Sequence, residues 1–153
     1  MPENLVARCG SRNPFAIAAF LNITVLFEEL GSIKGYFNKA YGYKFIHVNK
    51  NLSEREQTIV AAHELGHAVL HPDHCTPFMR ANTYYSINKL EMEANEFAVK
   101  LLISDEEIIE NLDYTTEQMA AVFGLPPVLT ELRMRLFKPP ENLKERIWNL
   151  YYK

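Results

Sequence analysis

The sequence predicts an α+β fold in which a small antiparallel three-stranded sheet packs against a helical bundle. The chain has 153 residues and 48% of them are hydrophobic, which suits one core and leaves too little chain for two independent domains. Stretches rich in β-branched and aromatic residues come early, and helical patterns with capping signals follow them. Residues 1–138 are therefore predicted to form a single domain, and residues 139–153 a helical tail that begins at a pair of prolines.

The first part of the chain predicts one helix followed by the three strands. Asn13 and Pro14 precede apolar residues at helical spacing, which is typical of a helix with proline in its first turn. Three β-rich runs follow, at residues 23–27, 33–37 and 43–48. The last two runs are joined through residues 38–42, so we expect a hairpin or a meander.

Helical periodicity dominates the rest of the chain. Ser53 with Glu56 three residues later is a capping-box pattern, and Pro72 ends the helix that Ser53 opens. A second long helix is predicted over residues 89–102. Residues 114–136 resemble half of a helix-turn-helix motif. The second helix of that pair carries few basic or amide side chains, so we expect a structural or substrate-recognising pair rather than direct nucleic-acid binding.

The charge and the cysteine content argue against several classes of protein. The formal net charge is −3 and the isoelectric point is near 6.0, so neither a nucleic acid nor an anionic membrane is an expected partner. No apolar run approaches the roughly 18 residues that span a bilayer, and the amino end lacks a signal-peptide pattern. Cys9 and Cys75 are far apart and are expected to be unpaired thiols. We therefore expect a cytoplasmic protein.

Two histidines separated by one helical turn carry the most specific chemical signal. His63 and His67 belong to a His-Glu-Leu-Gly-His sequence on the helix that Ser53 opens, so both imidazoles project from one face toward a common point. This spacing suits one zinc ion, which prefers tetrahedral coordination and accepts imidazole nitrogen. Glu64 stands beside the pair and could reach a metal-bound water without binding the metal, as a general base requires.

The residues alone leave three candidates for the third metal ligand. Glu91 lies on a narrow stripe of small residues that would let its helix pack close to the histidine helix, and Asn95 one turn later could support a ligand by a hydrogen bond. Glu93 looks like part of a solvated charged face. Asp73 would need a tight turn that usually contains glycine, where this chain has Leu70. Glu91 is the favoured ligand, and Glu93 and Asp73 are the alternatives.

Other polar side chains could assist this site. His71, Tyr84 and Tyr85 are candidates for stabilising a transition-state oxyanion. His71 could also support a metal ligand, or bond the last carbonyl groups of its own helix. His74 and Cys75 could form a second metal site, although a loop without metal is the favoured reading.

The stretch around Gly35 and Tyr36 is a candidate for substrate binding. An edge strand has open backbone groups that can pair with an extended peptide. Packing in the core is an equally good explanation of the same residues. Both interpretations stay open at the level of the sequence.

At these motifs the chain resembles the ImmA/IrrE family of metallopeptidases. That family pairs a His-Glu-Leu-Gly-His helix with a later Glu-x-Glu-Ala-Asn-x-Phe-Ala helix, and this chain has both, starting at His63 and Glu91. The resemblance covers about residues 13–103. It implies that His63, His67 and Glu91 bind one zinc ion per chain and that Glu64 is the catalytic acid and base, so the single domain would be a metallopeptidase domain.

The resemblance also implies a function in gene regulation. Members of the family typically cleave a helix-turn-helix repressor of a phage or mobile element, so we expect a zinc endopeptidase with such a repressor as its partner. The alternative is a non-catalytic, zinc-stabilised module that binds a transcriptional regulator. The presence of Glu64 argues against this alternative, because binding alone needs no base beside the metal.

Overall fold

The computed structural model describes residues 2–74 and 84–151, with side chains for all of these except 84–88 and 151. Within that part of the chain, helices accompany one small three-stranded sheet, and the predicted α+β class is confirmed. The chain divides into two compact units, residues 1–102 and 103–153. The predicted single domain of residues 1–138 and tail of 139–153 stay a prediction, because compactness does not test independent folding. None of the described helices is long and apolar enough to cross a membrane.

The first unit contains the sheet and two long helices. Its elements are α1 (Pro2–Cys9), α2 (Pro14–Phe20), β1 (Ile23–Glu28), β2 (Gly35–Ala40), β3 (Tyr43–Asn49), α3 (Glu54–Leu70) and α4 (Tyr84–Leu102). The three predicted strands are present, but the second is displaced from the predicted residues 33–37 to Gly35–Ala40, so part of the predicted connection is strand. The sequence does not predict α1, because a helix of 8 residues gives little periodic signal. α4 begins at Tyr84 rather than near Lys89.

The sheet is mixed rather than wholly antiparallel. β3 is the central strand and pairs with β2 in the antiparallel sense and with β1 in the parallel sense. The antiparallel prediction therefore holds for β2 and β3 and is corrected for β1. The chain leaves β1 beside the carboxyl end of β3 and crosses that end before it enters β2 at the far edge. Asn49 stabilises the segment that connects β1 to β2, because its side-chain amide donates to the carbonyl oxygens of Gly31 and Ile33 at 3.1 and 2.9 Å.

A two-residue turn joins β2 to β3. Tyr41 and Gly42 have φ angles of 53° and 80°, and Ala40 pairs with Tyr43 on either side of them. Left-handed backbone at both central positions matches the twist of an antiparallel ribbon. The turn therefore fixes the register of the hairpin, with β2 as an edge strand of the sheet.

A capping box holds the start of α3, as the sequence predicts. Ser53 Oγ accepts from the backbone N–H of Glu56 at 3.3 Å, and a carboxylate oxygen of Glu56 accepts from the backbone N–H of Ser53 at 3.1 Å. The helix ends at Leu70, ahead of Pro72. The core of this unit includes the fully buried side chains of Ile17, Phe37, Ile46, Val48, Leu65 and Leu101.

α3 and α4 approach each other closely at Gly66. A Cβ atom at this position would lie 3.1 Å from the Cα and from the carbonyl oxygen of Ala94, and 3.2 Å from Cδ1 of Phe97. Two of these three contacts are with backbone atoms, which cannot rotate away. Gly66 lies between the two histidines of the motif, so its missing side chain sets how near α4 comes to them.

The second unit consists of short helices. They are α5 (Asp105–Glu110), α6 (Thr116–Phe123), α7 (Pro127–Leu136) and α8 (Glu141–Tyr151). The predicted helical pair is present, and Gly124 ends α6 with a φ angle of 62°. Arg133 on α7 is buried and donates to the carbonyl oxygen of Ile103 at 2.9 Å and to Asp105 Oδ1 at 2.5 Å. This guanidinium is therefore bonded within the unit, which favours a structural interpretation of the pair.

Candidate metal centre

His63 and His67 direct one nitrogen each toward the same point. They lie one turn apart on α3, and their rings meet edge to face with centroids 4.8 Å apart. Their Nε2 atoms are separated by 3.2 Å. The His67 side chain has no exposed surface, and only 16% of the His63 side chain is exposed. Two nitrogen donors are thus held close together, and His63 also lines a cleft.

Glu91 on α4 supplies oxygen to the same point. Its Oε2 atom lies 3.1 Å from His63 Nε2, and its Oε1 atom lies 3.2 Å from His67 Nε2. Glu91 begins the turn of α4 that includes Ala94, the residue in closest contact with Gly66. The close helix packing at Gly66 therefore brings this carboxylate to the histidines.

The spacing of these three side chains fits a tetrahedral metal ion. Bonds of about 2.0 to 2.1 Å in tetrahedral geometry place neighbouring ligand atoms about 3.3 to 3.4 Å apart. The two Nε2 atoms lie 3.2 Å apart, and each of them lies 3.1 to 3.2 Å from a different oxygen of the Glu91 carboxylate. Among the described residues, His63, His67 and Glu91 form the group whose ligand atoms converge in this way. Two imidazoles and one carboxylate are also a donor set that zinc accepts, with one position left for water.

The close approach of these three side chains shifts their pKa values. Hydrogen bonds from His63 and then from His67 hold the pKa of the Glu91 carboxyl far below its usual range. Burial lowers the pKa of His63, but the hydrogen bond to Glu91 and the nearby charges of Glu64 and Glu91 outweigh it, so the pKa is raised overall. Burial lowers the pKa of His67, and its hydrogen bond to Glu91 opposes burial only in part. The surroundings of the site therefore favour protonation of His63 and disfavour protonation of His67.

We expect the affinity of this site for a divalent metal to fall as the pH is lowered. Below its raised pKa, His63 carries a proton that an incoming ion must displace, and above that pKa the nitrogen is free. The affinity should fall about tenfold per pH unit on the acid side and level off on the alkaline side. Competition with a chromogenic chelator from about pH 5 to about pH 8, corrected for protonation of the chelator, measures this profile. A constant affinity over that range would contradict it.

The second nitrogen of each histidine also has a partner. His63 Nδ1 lies 2.8 Å from Asn95 Oδ1, and His67 Nδ1 lies 3.3 Å from His71 Nδ1. Hydrogen bonds at this position fix the tautomer and the orientation of a metal-binding imidazole. The structure thus brings Asn95 and His71 to the places from which they could support the ligands, and their role stays a prediction.

Glu64 lies on the floor of a cleft beside the histidines. Only 2% of this residue is exposed, and it lines a cavity of about 380 Å³ together with His63, Asn95, Ile59, Val60 and the segment from Ser32 to Gly35. A Cβ atom on Gly35 would lie 2.4 Å from Val60 Cγ1 and 2.7 Å from the carbonyl oxygen of His47. Glycine therefore lets the start of β2 lie directly against α3, where it forms one wall of the cleft.

Of the remaining predicted site residues that the structure describes, Gly35 lines the cleft and the others lie elsewhere. Tyr36 does not share the cleft, because its ring stacks on His47 with centroids 4.2 Å apart, while Gly35 lines the cavity. Asp73 lies on the surface with its carboxylate 3.5 Å from Lys39 Nζ, and His74 is exposed.

Three predictions fall outside what the structure describes, namely the side chains of Tyr84 and Tyr85 and the whole of Cys75. Cys9 is a free thiol, as expected.

The sequence interpretation missed the contact of Glu93. Its Oε2 atom lies 2.6 Å from His71 Nε2, so it does not belong wholly to a solvated face. The periodicity of α4 places Glu93 off the stripe of Glu91, but it cannot show that the end of α3 lies beside it. The signal that could have found this contact is His71 itself, a histidine one further turn beyond His67.

Comparison with known proteins identifies the family of the chain. The profile of the family described as the IrrE N-terminal-like domain matches residues 18–135, which is most of the sequence. The chain belongs to the ImmA/IrrE family of metallopeptidases. It is similar to an uncharacterised immunity region protein 2 of Bacillus phage phi105, with 38% identity over 134 residues that cover 86% of this chain and 85% of the relative. It is also similar to the metallopeptidase ImmA of Bacillus subtilis strain 168, with 32% identity over 145 residues that cover 86% and 80% of the two chains.

Membership of the ImmA/IrrE family agrees with the geometry in one specific respect. The matched region contains the three convergent side chains and the buried glutamate beside them. A family of metallopeptidases implies a metal and a protein substrate, and the donor set described above can hold such an ion.

Proposed function

We propose that this protein is a zinc-dependent endopeptidase. The observation that carries the proposal is the convergence of His63, His67 and Glu91, whose ligand atoms lie within 4.8 Å of one another, with the buried Glu64 on the adjoining cleft. The two imidazoles and the carboxylate of Glu91 would hold the ion. When bound, zinc acts as a Lewis acid that polarises the scissile carbonyl and lowers the pKa of a coordinated water toward about 7.

Glu64 supplies the acid and base chemistry. It is close enough to His63 for its charge to raise the pKa of that imidazole, and it is not one of the three converging side chains. In this position it accepts the proton of the attacking water and then passes that proton to the nitrogen of the leaving amine. Burial within the cleft limits access of bulk water to the carboxylate, which strengthens its interaction with a nearby proton or charge.

The edge of β2 offers a place for an extended substrate. The carbonyl oxygen of Lys34 accepts a hydrogen bond from the backbone N–H of Asn49 at 2.8 Å, so the backbone groups of the next residue, Gly35, point away from β3. Gly35 also lines the cleft beside Glu64. A peptide added to this edge would run past the candidate metal centre, with backbone hydrogen bonds to Gly35, while the backbone groups of Tyr36 face β3.

The substrate we propose is a helix-turn-helix repressor of a phage or mobile element, met in the cytoplasm. The resemblance to the ImmA/IrrE family implies this class of substrate. Two relatives are consistent with it, because one is named a phage immunity region protein and the other a metallopeptidase.

Cleavage of the repressor encoded beside this gene tests the proposal. We expect the zinc-loaded protein to convert that repressor into two fragments on a gel, a chelator to stop the reaction, and added zinc to restore it. An unrelated helix-turn-helix protein serves as the control substrate and should remain intact. A repressor that stays whole beside the zinc-loaded protein under inducing conditions would count against the proposed substrate.

A further inference from the structure

A line of hydrogen-bonding groups runs from the candidate metal centre through the end of α3 to α4. His67 Nδ1 lies 3.3 Å from His71 Nδ1, and His71 Nε2 lies 2.6 Å from Glu93 Oε2. Lys89 Nζ lies 3.8 Å from the other carboxylate oxygen of Glu93. His67 is fully buried and His71 is 6% exposed, so bulk water has little access to the nitrogens between them.

Metal binding by His67 would determine which nitrogen of His67 and which nitrogen of His71 carries a proton. If His67 holds the ion through Nε2, the proton of that imidazole is on Nδ1 and must be donated from there. The nearest acceptor is His71 Nδ1, which can accept only if His71 is neutral and carries its own proton on Nε2. That proton in turn points to the carboxylate of Glu93, which accepts it.

We propose that Glu93, acting through His71, is a positioning residue that fixes the tautomer and the orientation of His67 for metal binding. The inference rests on the proposed zinc site and assigns a role to a residue that the sequence places on the solvated face of α4. Glu93 touches neither the ion nor the cleft, so it is not a catalytic residue. Its carboxylate accepts the proton on His71 Nε2. Nδ1 of His71 then has no proton and can accept the one on His67 Nδ1.

The two histidine ligands therefore have different kinds of hydrogen-bond partner at Nδ1. His63 donates to an amide oxygen of Asn95, which accepts whatever the protonation of its surroundings. His67 donates to the imidazole of His71. Nδ1 of that imidazole accepts in one tautomer and donates in the other, so a further group must stabilise the accepting tautomer. The Glu93 carboxylate lies 2.6 Å from His71 Nε2 and 3.8 Å from Lys89 Nζ, so this further group accepts a hydrogen bond from His71 beside a positive charge.

Zinc affinity of the purified protein provides the first test. Glu93→Ala removes the acceptor at the end of the line and keeps a strong helix former in α4, so the fold should be retained. We expect its zinc affinity, measured by competition with a chelator, to fall by about 10- to 100-fold. Glu96→Ala is the matched control, because Glu96 lies one turn later on the same helix and lines a second cavity together with Glu93. A Glu93→Ala affinity within about twofold of both the wild type and the control would overturn the proposal.

The tautomer of His71 in the zinc-loaded wild type provides a second test that needs no variant. Imidazole ¹⁵N chemical shifts distinguish a proton on Nδ1 from a proton on Nε2 and from a doubly protonated ring. We expect a neutral His71 with its proton on Nε2 and a His67 with its proton on Nδ1. A proton on His71 Nδ1 would overturn the role of Glu93 even if the protein binds zinc and cleaves its substrate. Failure of the wild type to bind zinc would instead overturn the proposed function itself.

Discussion

Glu64→Gln is expected to lower the rate of substrate cleavage by about 10²- to 10⁴-fold while the protein keeps its zinc. Glutamine has nearly the same shape as glutamate, so the buried wall of the cleft should be preserved. It cannot take a proton from the attacking water or return one to the leaving amine. Because Glu64 lies outside the triangle of His63, His67 and Glu91, the metal content should not change. Cleavage rates on a gel and metal analysis of the same preparations measure the two effects.

Glu54→Gln is the matched control for this experiment. Glu54 lies on the same helix but is exposed in its first turn, far along α3 from the histidines. The control should cleave at the rate of the wild type. Equal rates for Glu64→Gln and the wild type would remove Glu64 from its proposed role. Tight binding of the repressor by a wild type that cleaves nothing would favour the alternative of a non-catalytic, zinc-stabilised module.

The parts of the site that the sequence predicts are those that local geometry determines. His63 and His67 are one turn apart, so any helix through them must bring their side chains to one face, and the Ser53 capping box with Pro72 bounds that helix. Glu91 is predictable for a related reason. The small residues on its stripe of α4 allow close packing, and the observed contact of Gly66 with Ala94 is of that kind.

The parts that the sequence does not predict depend on where distant segments meet. Pairing of β1 with β3 in the parallel sense requires the chain to cross the end of β3, and the fastening contacts of Asn49 become visible only in three dimensions. The contact of His71 with Glu93 joins the end of one helix to the side of another. Neither relation leaves a periodic signal in the sequence, because hydrophobic periodicity reports which face of an element is buried and not what buries it.

Gly66→Val is expected to lower the free energy of unfolding by about 3 kcal/mol and to weaken zinc binding as well. A Cβ atom at this position would already lie 3.1 Å from two backbone atoms of Ala94, and valine adds two methyl groups beyond it. Relief requires α3 and α4 to separate. Separation would carry Glu91 away from His63 and His67, because the carboxylate comes from α4 and the imidazoles from α3. Urea unfolding of the metal-free protein and chelator competition measure the two losses.

Gly66→Ala separates the effect of the helix contact from the effect of glycine on helix stability. Alanine adds the same Cβ atom, but it also favours the helix over glycine by about 1 kcal/mol, which offsets part of the strain. We therefore expect a much smaller loss for alanine than for valine in both measurements. If valine left both the stability and the zinc affinity unchanged, the distance between α3 and α4 would not be what holds Glu91 at the histidines. A loss of stability with unchanged zinc affinity would show that the three ligands converge independently of the Gly66 contact.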